Sequence, residues 1–283
     1  MLTSTSIRTT KLPSGEAVPV LGQGTWHMGE GRHSRAQEIA SLQTGLKLGM
    51  TLIDTAEMYG DGKAEELVGE ALRGIREQAF IVSKVLPHHA TTEGTIRACQ
   101  GSLERLNTEW LDMYLLHWRG SIPLWQTIAG FRELVRAEKI RYWGVSNFDV
   151  ADMAEVVNFE NGSEVATDQV LYNLSRRGIE FDLLPWCHSH HIPIMAYSPI
   201  EQGRLLDHPE VRILAAKHGA TPTQIALAWV LRNDGVIAIP QAGVPEHVRE
   251  NRGALDVHLS KEDLARLDRA FPPPKEKQPL EMI

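Results

Sequence analysis

Eight short apolar runs, each followed by a longer amphipathic stretch, constrain the fold of this chain more than any other feature. They are VLGQG (20–24), TLIDT (51–55), FIVSK (80–84), MYLLHW (113–118), YWGVSN (142–147), VATDQV (165–170), IPIMAYS (192–198) and VIAIP (236–240). Near-continuous apolar strands alternating with helices imply a parallel sheet covered on both faces. Eight such units predict an α/β fold, the (β/α)8 TIM barrel. Barrels of this kind reach about 250 residues as one domain, so one domain over 1–283 is expected.

Local signals frame the units. KLPSGEAVPV places a Ser-Gly turn between two short extended runs, which predicts an N-terminal hairpin across the barrel floor. Thr221-Pro222 is a cap followed by a first-turn proline, and Gly219 closes the helix before it. Ser260 with Asp263 opens an extra C-terminal helix, and the Pro-rich run 271–280 reads as a tail beyond it. The rival doubly wound nucleotide fold wants G-x-G-x-x-G after a strand. Gly22 and Gly24 are followed by His27, and Gly60 and Gly62 by Glu65, so the third glycine is absent both times.

Composition narrows the function classes. Lys and Arg number 29 against 36 Asp and Glu, a net charge of −7 with a pI near 6.0, which argues against nucleic-acid or anionic-membrane partners. No apolar run reaches about 18 residues, the length of a membrane-spanning helix. The N-terminal MLTSTSIRTTKLPSG has no apolar core of a secretory signal. Cys99 and Cys187 form neither a disulfide framework nor a zinc spacing. A reduced, cytoplasmic protein is expected, a monomer or weak oligomer acting on a small molecule.

Barrel active sites lie where strands end. The second strand ends at Asp54, with Tyr59 in the loop that follows; the third ends at Lys84 and the fourth at His117. Each alone has an ordinary explanation as a helix cap, a solvated cation or a core histidine. Four ionisable groups converging on one rim do not. D-T-A-x-x-Y-G, the strand-end Lys and L-L-H-W resemble the tetrad motifs of the aldo-keto reductases, with G-V-S-N, Q-V-x-Y-N, A-Y-S-P and a final E-N in the family's order from about Pro19 to Phe271. The style is that of the bacterial branch.

The residue types make chemical sense without the resemblance. Hydride reduction of a carbonyl creates an alkoxide that must be protonated. A phenol of ordinary pKa, about 10, needs neighbouring positive charge to serve as the acid. Lys84 supplies the charge, Asp54 anchors Lys84, and His117 donates to the carbonyl oxygen. Tyr59 is then the general acid.

No side chain can deliver hydride, so a cofactor must. The resemblance assigns Ser146, Asn147 and Gln169 to the nicotinamide carboxamide and Tyr197 to stacking on its ring. It places Ser198, Ile200, Gly203 and Arg204 at the pyrophosphate, and Glu250 and Asn251 at the adenine. It implies Trp26 and Trp118 as substrate walls, with Met28 and Tyr172 added. NADP(H) is the expected cofactor, but the sequence departs from the pattern that clamps the 2′-phosphate. Gln241 stands for the usual Lys and His247 for the usual Arg, so use of NAD(H) as well is expected. Because the chain runs only to Ile283 after Phe271, an open and permissive pocket is expected. His188, His190 and His191 share no single helix face, so no metal is expected. His88-His89 reads as a solvated loop.

The leading expectation is a reductase of small aldehydes and ketones: methylglyoxal-like dicarbonyls, aromatic aldehydes or aldoses. Two alternatives stay open: an NAD-linked sugar or alcohol dehydrogenase, and a non-catalytic cofactor-binding regulatory subunit.

Overall fold

A computed structural model describes residues 7–283, so the first six residues of the N-terminal segment discussed above lie outside the described residues. All eight runs are strands of one parallel sheet: β3 (Gln23–Gly24), β4 (Leu52–Asp54), β5 (Phe80–Val85), β6 (Leu111–Leu116), β7 (Ile140–Ser146), β8 (Asp168–Leu171), β9 (Ile194–Tyr197) and β10 (Val236–Ala238), hydrogen-bonded in that order. Parallel bridges Leu21–Ala238 and Gly24–Gln241 join the two edges and close the barrel. At the seam a Cβ on Gly24 would stand 2.7 Å from the Ile239 carbonyl oxygen, so any side chain there would wedge the closure open.

Ahead of the barrel, β1 (Thr9–Lys11) and β2 (Ala17–Pro19) pair antiparallel as the expected hairpin. Leu12 and Val18 from it pack with Leu52, Phe80, Val82, Met113, Leu115, Met195 and Ile237 inside the barrel, so the hairpin does plug the floor.

Helices α1 (Arg35–Lys47), α2 (Lys63–Ala71), α3 (Thr92–Leu106), α4 (Leu124–Arg136), α5 (Val150–Asn158), α6 (Leu183–Ser189), α7 (Pro209–His218), α8 (Pro222–Val230), α9 (Pro245–Gly253) and α10 (Lys261–Ala270) surround the sheet. Their apolar faces and the outward strand residues form the larger core, with Leu42, Leu67, Val68, Phe131 and Trp143 in it. Capping boxes open α1 at Ser34, α5 at Asp149, α8 at Thr221 and α10 at Ser260. No helix among the described residues is long and apolar enough to cross a membrane.

The two cores explain where polar groups go. Strand side chains alternate, so Phe80 and Val82 point inward and Ile81 outward, and Met113 and Leu115 inward with Tyr114 outward. Continuing each inward row by two residues reaches Asp54 beyond Leu52, Lys84 beyond Val82, His117 beyond Leu115 and Tyr197 beyond Met195. The interior is apolar at the floor and polar at the C-terminal rim.

Candidate active site

Lys84 is the hinge of the rim. It has no exposed surface, and its Nζ lies 2.8 and 2.9 Å from the two carboxylate oxygens of Asp54, itself buried. The same ammonium donates to the Thr55 carbonyl at 2.8 Å and to the Tyr59 hydroxyl at 3.1 Å. Burial works to discharge Lys84, but the charge and hydrogen bonds of Asp54 and Tyr59 outweigh it and hold its pKa above the ordinary lysine value. Tyr59 opens a single 3₁₀ turn, Tyr59–Gly62, in which Gly60 and Asp61 take left-handed angles (φ 57° and 54°) and turn the chain back toward the rim.

The phenol departs from the sequence expectation in one respect. Burial raises its pKa, Lys84 lowers it, Asp54 raises it again, and the net result lies above the ordinary tyrosine value. Lys84 therefore does not make the resting phenol acidic. It offsets part of the larger burial penalty on the phenolate form.

His117 is 8% exposed at the end of β6, its ring edge-on to Tyr59 with centroids 5.8 Å apart. Burial and the charge of Lys84 lower its pKa to about 2, so the imidazole is neutral. Nδ1 is buried with no hydrogen-bond partner. An orphaned buried N–H is rarer than a bare acceptor. That favours the tautomer with the proton on Nε2, where a ligand can receive it.

A cleft of about 640 Å³ opens over Asp54, Tyr59 and His117. Of the residues expected to bind cofactor, Ser146, Asn147, Gln169, Tyr197, Ser198, Ile200, Gly203 and Gln241 line it. Trp26 and Trp118 line it too, with Met58, Gln202, Met282 and Ile283, which sequence reasoning missed. Asn147 takes a left-handed backbone (φ 61°) and donates to the His117 carbonyl at 3.1 Å, while its Oδ1 accepts from the Tyr197 hydroxyl at 2.9 Å. The Gln169 amide nitrogen donates to Asp54 at 2.7 Å, which ties this part of the cleft wall to the carboxylate that holds Lys84. Its Oε1 accepts no hydrogen bond from the described residues. An acceptor at the rim, a partly buried aromatic ring beside it and a cleft of this size fit a nicotinamide dinucleotide.

The expected substrate walls Met28 and Tyr172 are corrected, and the remaining expected residues are placed as follows. Met28 and Tyr172 are not pocket walls. Met28 is 1% exposed and belongs to the outer core, because the chain reverses at His27 (φ 70°) and turns the next side chain inward. Tyr172 has no exposed surface, and its hydroxyl bonds Glu180, Arg232 and Asn233. Arg204 stands outside the cleft wall, paired with Glu201 at 2.7 Å. His247, Glu250 and Asn251 lie on α9, beyond the cleft lining; Asn251 is buried and His247 exposed. The pocket is not left open by a short tail, since Met282 and Ile283 form part of its wall. No cluster of three or more His, Cys, Asp or Glu that could hold a metal occurs among the described residues.

An eight-stranded barrel whose rim aims a lysine-backed phenol and a neutral imidazole into a dinucleotide-sized cleft defines an oxidoreductase that works on carbonyls. Residues 20–271 match the family model described as the aldo/keto reductase family, and the chain belongs to that family. It is an NAD(P)H-dependent oxidoreductase that reduces carbonyl groups. Over 272 residues it is 51% identical to methylglyoxal reductase YeaE of Escherichia coli strain K12, covering 94% of this chain and 96% of that protein. It is 34% identical over 263 residues to glyoxal reductase of Bacillus subtilis strain 168, covering 92% and 91%. An aldo/keto reductase from Klebsiella pneumoniae, solved in complex with NADP and acetate, superposes with a TM-score of 0.95 at 51% identity, covering 98% of this chain and all of that one.

Proposed function

We propose that the protein reduces small dicarbonyls of the methylglyoxal type with NADPH, Tyr59 acting as general acid. The observation that carries the reading is the single buried ammonium that bonds both Asp54 and the Tyr59 hydroxyl. The cofactor, when bound, supplies the hydride. His117 orients the carbonyl oxygen through Nε2–H, and the Tyr59 proton moves to that oxygen as negative charge develops there. Lys84 stabilises the phenolate left behind, and Asp54 keeps Lys84 charged. Trp26, Trp118 and Met58 exclude water from the reacting atoms, which strengthens each of these interactions. Ser146, Asn147 and Gln169 hold the carboxamide, and Tyr197 underlies the ring. The cleft suits a small substrate; aromatic aldehydes and aldoses are secondary candidates.

The relatives named as methylglyoxal and glyoxal reductases favour the reductive direction over the dehydrogenase and regulatory readings. Gln241 in place of a cation supports turnover with NADH as well as NADPH. The test is oxidation of NADPH followed at its absorbance maximum with methylglyoxal as substrate. Turnover of at least the order of 1 s⁻¹, typical of enzymes, is expected (roughly); no oxidation above background with methylglyoxal, an aromatic aldehyde or an aldose overturns the reading.

A further inference from the structure

Among the described residues, one cation of the cleft lining has no counter-charge. Arg32 lines the cleft and is exposed, and among the described residues no carboxylate pairs with its guanidinium. The other basic side chains near the cleft are committed. Lys84 is buried on Asp54, Arg204 pairs with Glu201, Arg176 bridges Glu201 and Glu281, and His27 leans on Glu30 at 2.9 Å. A dinucleotide brings several phosphate charges into this cleft, and the segment after β10 meets it with Gln241, a neutral donor.

The loop that carries Arg32 is fixed at both ends. The Gly29 N–H donates to the Glu38 carboxylate at 3.0 Å, and Ser34 caps α1. Next to Arg32, the His33 ring covers Gly243 so closely that a Cβ on that glycine would stand 2.1 Å from His33 Cδ2. Ser41 of α1 donates to the Ala242 carbonyl at 2.5 Å, and the Gly24–Gln241 bridge joins the same two segments. The loop before α1 and the segment Gln241–Gly243 are therefore one packed unit, with Arg32 on its cleft side.

We propose that Arg32 supplies the positive charge for a phosphate of the bound dinucleotide, where Gln241 offers only a neutral donor. The inference rests on the NADP(H) reading above. A guanidinium stays charged at every working pH and presents parallel N–H donors that match two phosphate oxygens. Because no carboxylate among the described residues pairs with it, no ion pair with them must break when the phosphate arrives. Gly243 belongs to the same device, because a side chain there displaces His33 and with it Arg32.

The experiment is direct titration of NADPH and of NADH into the wild type, Arg32→Ala, Arg32→Lys and Gly243→Ala, followed by quenching of tryptophan fluorescence. Arg32 is exposed, so its substitution leaves folding intact, which circular dichroism checks. Arg32→Ala should weaken NADPH binding by about tenfold or more, and Arg32→Lys by less, since it keeps the charge and loses the fork. A loss confined to NADPH places the 2′-phosphate on Arg32; an equal loss for NADH places the pyrophosphate there. As a single variant Gly243→Ala should weaken NADPH binding, with the same effect on NADH as Arg32→Ala shows, and in the Arg32→Ala background it should add little. Affinities for both cofactors within about twofold of wild type in Arg32→Ala overturn the proposal, as does a change seen only in the KM of a carboxylate-bearing aldehyde such as glyoxylate. A wild type that binds NADPH independently of Arg32 leaves the reductase reading standing; one that binds no NADPH removes both.

Discussion

Tyr59 illustrates how little a single pKa says about catalysis. Burial and Asp54 hold the phenol protonated, which keeps the proposed acid loaded, and Lys84 at 3.1 Å lowers the cost of giving the proton up. Tyr59→Phe should therefore cut kcat by at least about a hundredfold while leaving NADPH affinity nearly unchanged, because the proton is used only as the alkoxide forms. Lys84→Met should be as damaging, and the double variant little worse than either. Steady-state kinetics on methylglyoxal decide this; losses that multiply would show Lys84 acting apart from Tyr59. His117 supports a second prediction. Its folded pKa of about 2 lies below the ordinary value near 6.5, so the unfolded chain binds the proton first as pH falls. Relative to His117→Gln, the wild type should lose about 1.4 kcal/mol of stability per pH unit below about 6.5, or roughly 2 kcal/mol between pH 7 and pH 5. Denaturant melts of both proteins at the two pH values measure the difference. A gap independent of pH would mean that the imidazole takes its proton inside the fold.

Among the elements, α10 shows how much one cap can hold. Asp263 has no exposed surface; it bonds the Ser260 N–H and hydroxyl at 2.9 and 2.8 Å, Lys217 at 2.6 Å and His218 at 3.0 Å. Burial alone would raise its pKa, but Lys217, Ser260 and His218 draw it well below the carboxylate range. Asp263→Ala removes a cap of about 1 kcal/mol and charge-assisted bonds of about 1.5–3 kcal/mol, so a loss of roughly 2–4 kcal/mol is expected in thermal or urea melts. Asp263→Asn should cost less, and the wild-type advantage over it should fade as pH falls below about 4, where the unfolded carboxylate protonates. The Ser260–Asp263 spacing was readable in the sequence, as were all eight strands and the hairpin, because periodicity and caps are local signals. Lys84 and His117 were readable for the same reason, each one alternation beyond an inward apolar residue. For Tyr172 the strand alternation corrects the expectation: counted from the inward Gln169 it falls on the outer face, away from the cleft. Met28 could not be placed, since its direction follows from the left-handed turn at His27. The pairing of Arg204 with Glu201 was not readable, because charge alone does not reveal which carboxylate claims an arginine. Gln169's bond to Asp54, between residues 115 positions apart, has no local trace at all.

At the scale of the whole molecule, the tail returns to the site that the first strands built. Beyond α10 it is held by Lys277 to Asp182 at 3.6 Å and by Glu281 to Arg176 at 2.5 Å, which delivers Met282 and Ile283 to the cleft wall. Arg176 also pairs with Glu201, which bonds Asn173 at 2.7 Å and Arg204 at 2.7 Å. Glu201 sits in a loop where Ser198, Glu201 and Gln202 all take left-handed angles (φ 46°, 50° and 54°), a conformation unfavourable to side chains that persists because the surrounding bonds hold it. One guanidinium thus joins the loop proposed to meet the pyrophosphate to the tail segment that forms part of the cleft wall. Arg176 is only partly buried, so water screens its pairs, and together they are worth about 1 kcal/mol. Arg176→Ala should then leave the melting temperature of the barrel nearly unchanged while raising the detached population of the tail about fivefold. Trypsin reports that population at Lys277 when opening is fast relative to cleavage. Cleavage there should accelerate by about the same factor, and NADPH, by steadying the Ser198–Gly203 loop, should slow it in the wild type more than in Arg176→Ala. Equal protection of both proteins by NADPH would show that the tail and the cofactor loop are independent, and unchanged cleavage in the variant would show that other contacts hold the tail in place.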